Sequence, residues 1–254
     1  MFKIFMLVNK VYLIVLLVFG VLLCQQLPII ADNYNDKTQE VVVLLHGLGR
    51  TSGSMNVIQA RLEKEGYFVK NINYPSKKYS CETLMINYIA PVLSEYKNAH
   101  KVHFVTHSLG GILTRLYLTR YKLDNLGAVV MLGPPNKGSG VVDKLRRYKF
   151  VTRYMGPAFL ELSTDYDSLP NKLPRPYYHL GIIAGTTSLN PFLSQFLEGE
   201  NDGKVTVDSA KIDGGSLKIL PVSHTWMMKD KDVINNVVYF LKYSKFIQKN
   251  GAVQ

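Results

Sequence analysis

The sequence is poor in the residues that would signal a metal or disulfide framework. It holds two cysteines, Cys24 and Cys81, and neither a CxxC nor an HExxH motif. A structural zinc site and a zincin-type catalytic site therefore have no visible ligands, and no metal is expected. Acidic residues are also scarce, with 19 Asp plus Glu against 30 Lys plus Arg, a formal net charge of +11. That excess suits an anionic partner. The basic residues are scattered, however, and no long Lys/Arg run interleaves with aromatics, so nucleic acid is not an expected partner. The 19 glycines and 11 prolines follow no Gly-X-Y period, which excludes collagen. What is abundant is apolar material, 47% of 254 residues, enough for the large core of one α/β domain.

The first 31 residues stand apart, with Lys3 and Lys10 as their only charges. VYLIVLLVFGVLL, residues 11–23, is a thirteen-residue apolar run. A membrane-spanning helix needs about 20 such residues. Thirteen fits the core of a signal peptide, with Lys3 and Lys10 as its positive start and Ala31 as the cleavage position. The chain is then exported, periplasmic or secreted. The alternative is an uncleaved N-terminal membrane anchor over residues 4–23. Cleavage after Ala31 leaves Cys81 alone and excludes an intrachain disulfide in residues 32–254.

In residues 32–254 apolar strands alternate with helical patterns. Strands are expected at 41–45, 68–73, 102–106, 128–132, 178–184 and 217–220. Helices are expected at 55–65, 83–96, 109–121 and 233–243, with Pro91 kinking the second or delaying its start. VVVLL at 41–45 has no polar alternation and reads as a strand buried on both faces. The pattern predicts an α/β fold, a mostly parallel central sheet with helices on both faces. Residues 137–176 break it. Glycines and prolines there forbid a long helix, and an insertion of about forty residues is read as a lid over a site.

The chemistry gathers at three places. THSLGG at 106–111 follows an apolar strand and precedes a helix, the context that lifts a serine, Ser108, on a tight turn above the sheet edge. The alternative is a serine capping that helix. Thr106 stands where such elbows usually carry glycine. A serine nucleophile needs a base and an acid to orient it. Among six histidines, only His224 lies past the last strand and last in the order Ser, acid, His. His46 is read as support for the first loop, and His107 as pointing away from Ser108. Asp202, in NDGKV, is the preferred acid. Asp208 and Asp213 are rivals, Asp165 and Asp167 lie in the lid, and a plain Asn-Asp-Gly turn is the other reading. The oxyanion donors are expected to be the Leu109 amide and the Leu48 amide, with Gly49 second to Leu48.

The chain resembles serine hydrolases of the α/β-hydrolase fold, near the bacterial lipase and PGAP1-like esterase group. VVVLLHGLGR at 41–50, THSLGG, LGPPNKGS at 132–139, NDGKV at 201–205 and PVSHTWM at 221–227 carry the resemblance. It implies hydrolysis of a carboxylic ester through an acyl-enzyme, without cofactor. The expected substrate is a small acyl ester or a lipid, and the apolar lid with its Lys and Arg residues suggests contact with a membrane surface. Thioesterase and acyltransferase chemistry use the same triad. A binding module on this fold is a further alternative. A dinucleotide-binding loop is disfavoured, because Gly47, Gly49 and Gly53 do not have GxGxxG spacing.

Overall fold

The computed structural model describes residues 37–189 and 191–248, with residues 191 and 192 described by backbone alone. Residues 1–31, read above as a signal peptide or anchor, lie outside the described residues. The described residues form one unit.

Six strands form a single sheet among the described residues, in the order β2-β1-β3-β4-β5-β6. They are β1 (Glu40–Leu45), β2 (Phe68–Ile72), β3 (Lys101–His107), β4 (Leu126–Leu132), β5 (Leu180–Gly185) and β6 (Gly215–Leu220). Every pairing is parallel, so the expected mostly parallel sheet is parallel throughout. The reason is visible in β1 and β3. After Glu40 every residue of β1 is fully buried, and only the first residue of β3 is exposed. Such strands must be covered on both faces, and helical crossovers do the covering.

The helices are α1 (Asn56–Lys64), α2 (Cys81–Leu84), α3 (Ala90–Ser94), α4 (Leu109–Arg120), α5 (Gly140–Leu145), α6 (Lys149–Met155), α7 (Pro157–Leu160), α8 (Leu169–Lys172), α9 (Pro191–Ser194), α10 (Val207–Ala210) and α11 (Lys231–Tyr243). On one face, Ile58 and Leu62 of α1 join Val233, Val237 and Phe240 of α11 against Val42, Leu44, Val105 and Val130. Each fully buried side chain of this kind is worth about 1.5–3 kcal/mol. α4 packs against β3 and β4, and against the helical stretch that holds α2 and α3.

The expected helix at 83–96 is not continuous. Between α2 and α3, Met85–Ile89 forms a wide π turn that runs into Pro91. Proline has no N–H to donate, and its ring crowds the carbonyl four residues back. The widened turn relieves that conflict. α11 begins two residues before the apolar pattern, because the Asp230 carboxylate accepts from the Asp232 and Val233 amides. Such a cap contributes about 1 kcal/mol. Residues 137–176 contain only the short helices α5–α8. Arg115 of α4, itself buried, donates to Asn136 at one end of this insertion and to the Leu173 carbonyl at the other.

Candidate active site

β3 ends at His107 and α4 begins at Leu109, leaving one residue for the turn. Ser108 takes it with φ 53° and ψ −119°. Among the described residues only Ser108 and Ser244 combine positive φ with a side chain. Holding an ordinary residue there costs on the order of 1–3 kcal/mol, and neighbouring contacts maintain it. The Ser108 amide donates to the Leu132 carbonyl (2.9 Å), and the Ser108 carbonyl accepts from the Gly111 amide (2.9 Å). The Ser108 side chain makes no capping hydrogen bond to α4, so it is not the cap considered above. The bend lies close to the end of β1. A Cβ on Gly110 would stand 2.6 Å from the Leu45 carbonyl oxygen. Thr106, two residues before Ser108, is tolerated inside β3, fully buried between its pairing partners Leu45 and Met131.

The loop after β6 brings His224 over the same end of the sheet. Its Nδ1 lies 2.7 Å from Asp202 Oδ2, with both side chains buried. The other carboxylate oxygen, Oδ1, accepts from the Lys204 amide (3.0 Å) and the Val205 amide (2.8 Å). The His224 amide also donates to the Asp202 carbonyl (3.0 Å), so the two residues are tied through backbone and side chain alike. An Nδ1–H donated to Asp202 leaves Nε2 as the free acceptor. The alternative acids lie elsewhere. Asp208 is exposed and pairs with Lys137, Asp213 pairs with Arg175, Asp165 pairs with Arg146, and Asp167 is exposed.

His107 was expected to point away from Ser108, and its ring supports the site through the His224 backbone. Its Nε2 donates to the His224 carbonyl (3.0 Å), and the two rings lie 4.6 Å apart. Strand alternation sends His107 to the same face as Val105, where the β6–α11 loop crosses. Burial, reinforced by the charges of His224, Lys204 and Arg50, holds its pKa well below the usual histidine value. His107 is therefore a neutral brace for the His224 backbone. Its place directly before Ser108 was the only sequence signal for this role.

His46 supports the loop after β1, as expected. Its ring stacks on Tyr74 at 4.0 Å, its Nδ1 donates to the Gly47 carbonyl, and the Tyr74 hydroxyl donates to the His46 carbonyl. The Gly49 amide is taken by Ser76 Oγ (2.9 Å). Among the described residues the amides of Leu48 and Leu109 are taken by no other group. That favours Leu48 over Gly49 as a donor free for a ligand.

Ser108, His224, His107 and Leu48 line one cavity of about 200 Å³. Its apolar wall comes from residues 137–176, through Val142, Leu145, Val151, Met155 and Phe159. Among the described residues no cluster of His, Cys, Asp or Glu is placed to hold a metal ion.

A parallel sheet with a strained serine after β3, and a buried His–Asp pair beyond its last strands, defines an α/β-hydrolase. The solved structures that resemble the chain share this fold. A lipase of Bacillus licheniformis, BlEst2 in its mature form, superposes with a TM-score of 0.63 at 19% identity, covering 84% of this chain and 95% of the lipase. A carboxylesterase of Nitrososphaera gargenis gives 0.57 at 16% identity, with 83% and 92% covered. Phospholipase PlaB of Legionella pneumophila gives 0.56 at 20% identity, with 68% of this chain and 45% of the phospholipase covered. No curated protein sequence matches the chain. The profile of the palmitoyl protein thioesterase family matches residues 41–171, just over half of the chain. The chain belongs to that family, and is a hydrolase of the ester and thioester class.

Proposed function

We propose that the protein cleaves acyl esters or thioesters through a covalent acyl-enzyme, with Ser108 as nucleophile, His224 as general base and Asp202 as the residue that orients His224. The observation that carries this reading is the buried 2.7 Å Asp202–His224 contact, with His224 lining the same cavity as the strained Ser108. Ser108 Oγ attacks the acyl carbonyl as His224 Nε2 takes its proton. The amides of Leu48 and Leu109 donate to the developing oxyanion. The tetrahedral species collapses as His224 protonates the departing alcohol or thiol. Water, deprotonated by His224, then attacks the Ser108 ester, and the acid leaves with the serine restored. Asp202 stays ionised and fixes the ring tautomer throughout.

The apolar wall of the cavity suits an acyl chain, and the insertion 137–176 acts as its lid. The family match favours a thioester, and the lipase and esterase folds are equally consistent with an oxygen ester. On the outer side of the lid Tyr148, Phe150 and Tyr154 are 50%, 74% and 70% exposed, beside Arg147, Lys149 and Arg153. Apolar rings among free cations suit contact with an anionic lipid surface. The N-terminal apolar segment supports export, with or without a retained anchor.

A fluorophosphonate probe followed by peptide mapping tests the reading. The expected result is one adduct, on Ser108, abolished in Ser108→Ala. A folded protein left unlabelled, or labelled on another residue, contradicts it.

A further inference from the structure

Two cations stand at the active-site cavity, one of them beside the Asp202 carboxylate. Arg50 and Lys204 both line it, together with Ser108 and His224. Among the described residues neither forms an ion pair. The acid beside them, Asp202, is committed to His224 and to two backbone amides. Both cations rise from fixed backbone. The Arg50 amide closes a turn onto the Gly47 carbonyl (3.2 Å), the Lys204 amide donates to Asp202, and the Lys204 carbonyl accepts from Ser139 Oγ (2.7 Å). The two charges sense each other. Desolvation by surrounding protein and the nearby Arg50 push the Lys204 amine below its usual value, and the Asp202 charge opposes them.

A second feature continues the first. Arg50 also lines an open groove of about 570 Å³, whose walls include Lys77 and Lys78 and contain no Asp or Glu. Basic side chains thus run from the catalytic cavity outward, with Arg50 at the junction. Lys204 is exposed and Arg50 half-buried, so both reach solvent at the cavity mouth, where an anion bound between them and the apolar wall is screened less than in bulk water. The opposite, apolar side of the cavity leaves no such charge for the acyl chain to meet.

We infer that the substrate carries an anion, a phosphate or a carboxylate, next to its scissile bond, and that Arg50 and Lys204 bind it at the cavity mouth while the acyl chain lies on the apolar wall. Larger anionic leaving groups extend past Arg50 toward Lys77 and Lys78. This rests on the hydrolase reading above and narrows its substrate class to anionic acyl esters or thioesters.

Binding without turnover tests it independently of catalysis. In Ser108→Ala protein, dissociation constants are measured by calorimetry for octyl phosphate, nonanoate and 1-octanol. At least one of the two anions is expected to bind roughly tenfold more tightly than octanol, the scale of one charged hydrogen bond. Which anion gains tells phosphate from carboxylate. Adding Arg50→Gln and Lys204→Gln should erase the advantage, and raising the salt concentration should weaken it. Anions that bind no better than octanol, or an advantage that survives both substitutions, overturn the inference. Failure of Ser108 to take the fluorophosphonate, with the anion preference intact, would instead sink the hydrolase reading alone.

Discussion

At the scale of single residues, the candidate site is a set of ties that each fix one atom. Asp202 receives three N–H groups, from His224, Lys204 and Val205. Replacing it with Asn retains the shape but allows the amide to donate to Nδ1, which favours the unproductive ring tautomer. Asp202→Asn should lower kcat by several orders of magnitude, and Asp208→Asn should leave it within about twofold. Steady-state kinetics on one soluble ester decides this. A larger loss in Asp208→Asn would move the acid to Asp208. Ser108 and His224 were legible because each depends on local context, a strand–turn–helix or the end of the last strand. Asp202 was preferred over Asp208 from its place in the Asn-Asp-Gly turn, and the fold supplies the contact with His224 that Asp208, paired with Lys137, lacks. The part played by His107 was not legible, because a sequence does not say which loop crosses the face to which a side chain points.

At the scale of elements, the strands were the most readable parts. β1 and β3 carry unbroken apolar runs because helices cover both their faces, and no other environment tolerates such runs in a parallel sheet. The π turn before Pro91 was not readable beyond a kink, since several backbone adjustments can absorb a missing donor. Residues 137–176 stood out by breaking the alternation, but the internal ties did not. Arg146 pairs with Asp165, with one N–O distance of 2.9 Å, and so belongs to the framework of the insertion. Arg147 and Lys149 are exposed and carry no such tie, which makes them the better probes of lipid contact. Substituting Arg147 and Lys149 with Gln should lower the ratio of activity on anionic vesicles to activity on a short soluble ester. The loss is expected to be about 1 kcal/mol of surface affinity per removed charge. Vesicle and solution assays on the same preparation give the ratio, and an unchanged ratio contradicts docking through this face.

At the scale of the whole molecule, pH reaches stability through buried histidines. Burial holds His46, His103 and His107 below the usual value of 6.5, although hydrogen bonds and, for His103, the Glu40 charge oppose it. The unfolded chain takes up protons at these positions as pH falls through about 6.5, and the folded chain resists. Stability is therefore full above that value and falls as pH drops below it, by up to about 1.4 kcal/mol per pH unit for each histidine. The carboxylates with lowered pKa, Glu65 and Asp165, begin at or below 4.5 and act only at more acidic pH. The urea midpoint should be lower at pH 5 than at pH 7.5, and an equal or higher midpoint at pH 5 contradicts this account. The sequence could show that these histidines lie beside or within apolar strands, but not that their rings are sealed from water.

The central claim is that Ser108, His224 and Asp202 form one catalytic unit. Its most direct test is the kcat/KM of Ser108→Ala, His224→Ala and the double variant on one soluble ester, with folding checked by circular dichroism. Residues that act in one proton-transfer step lose their function together. Each single variant should fall by several orders of magnitude, and the double variant should fall little further than either one. Losses that multiply in the double variant, or a His224→Ala protein that keeps most of its activity, would contradict the shared mechanism.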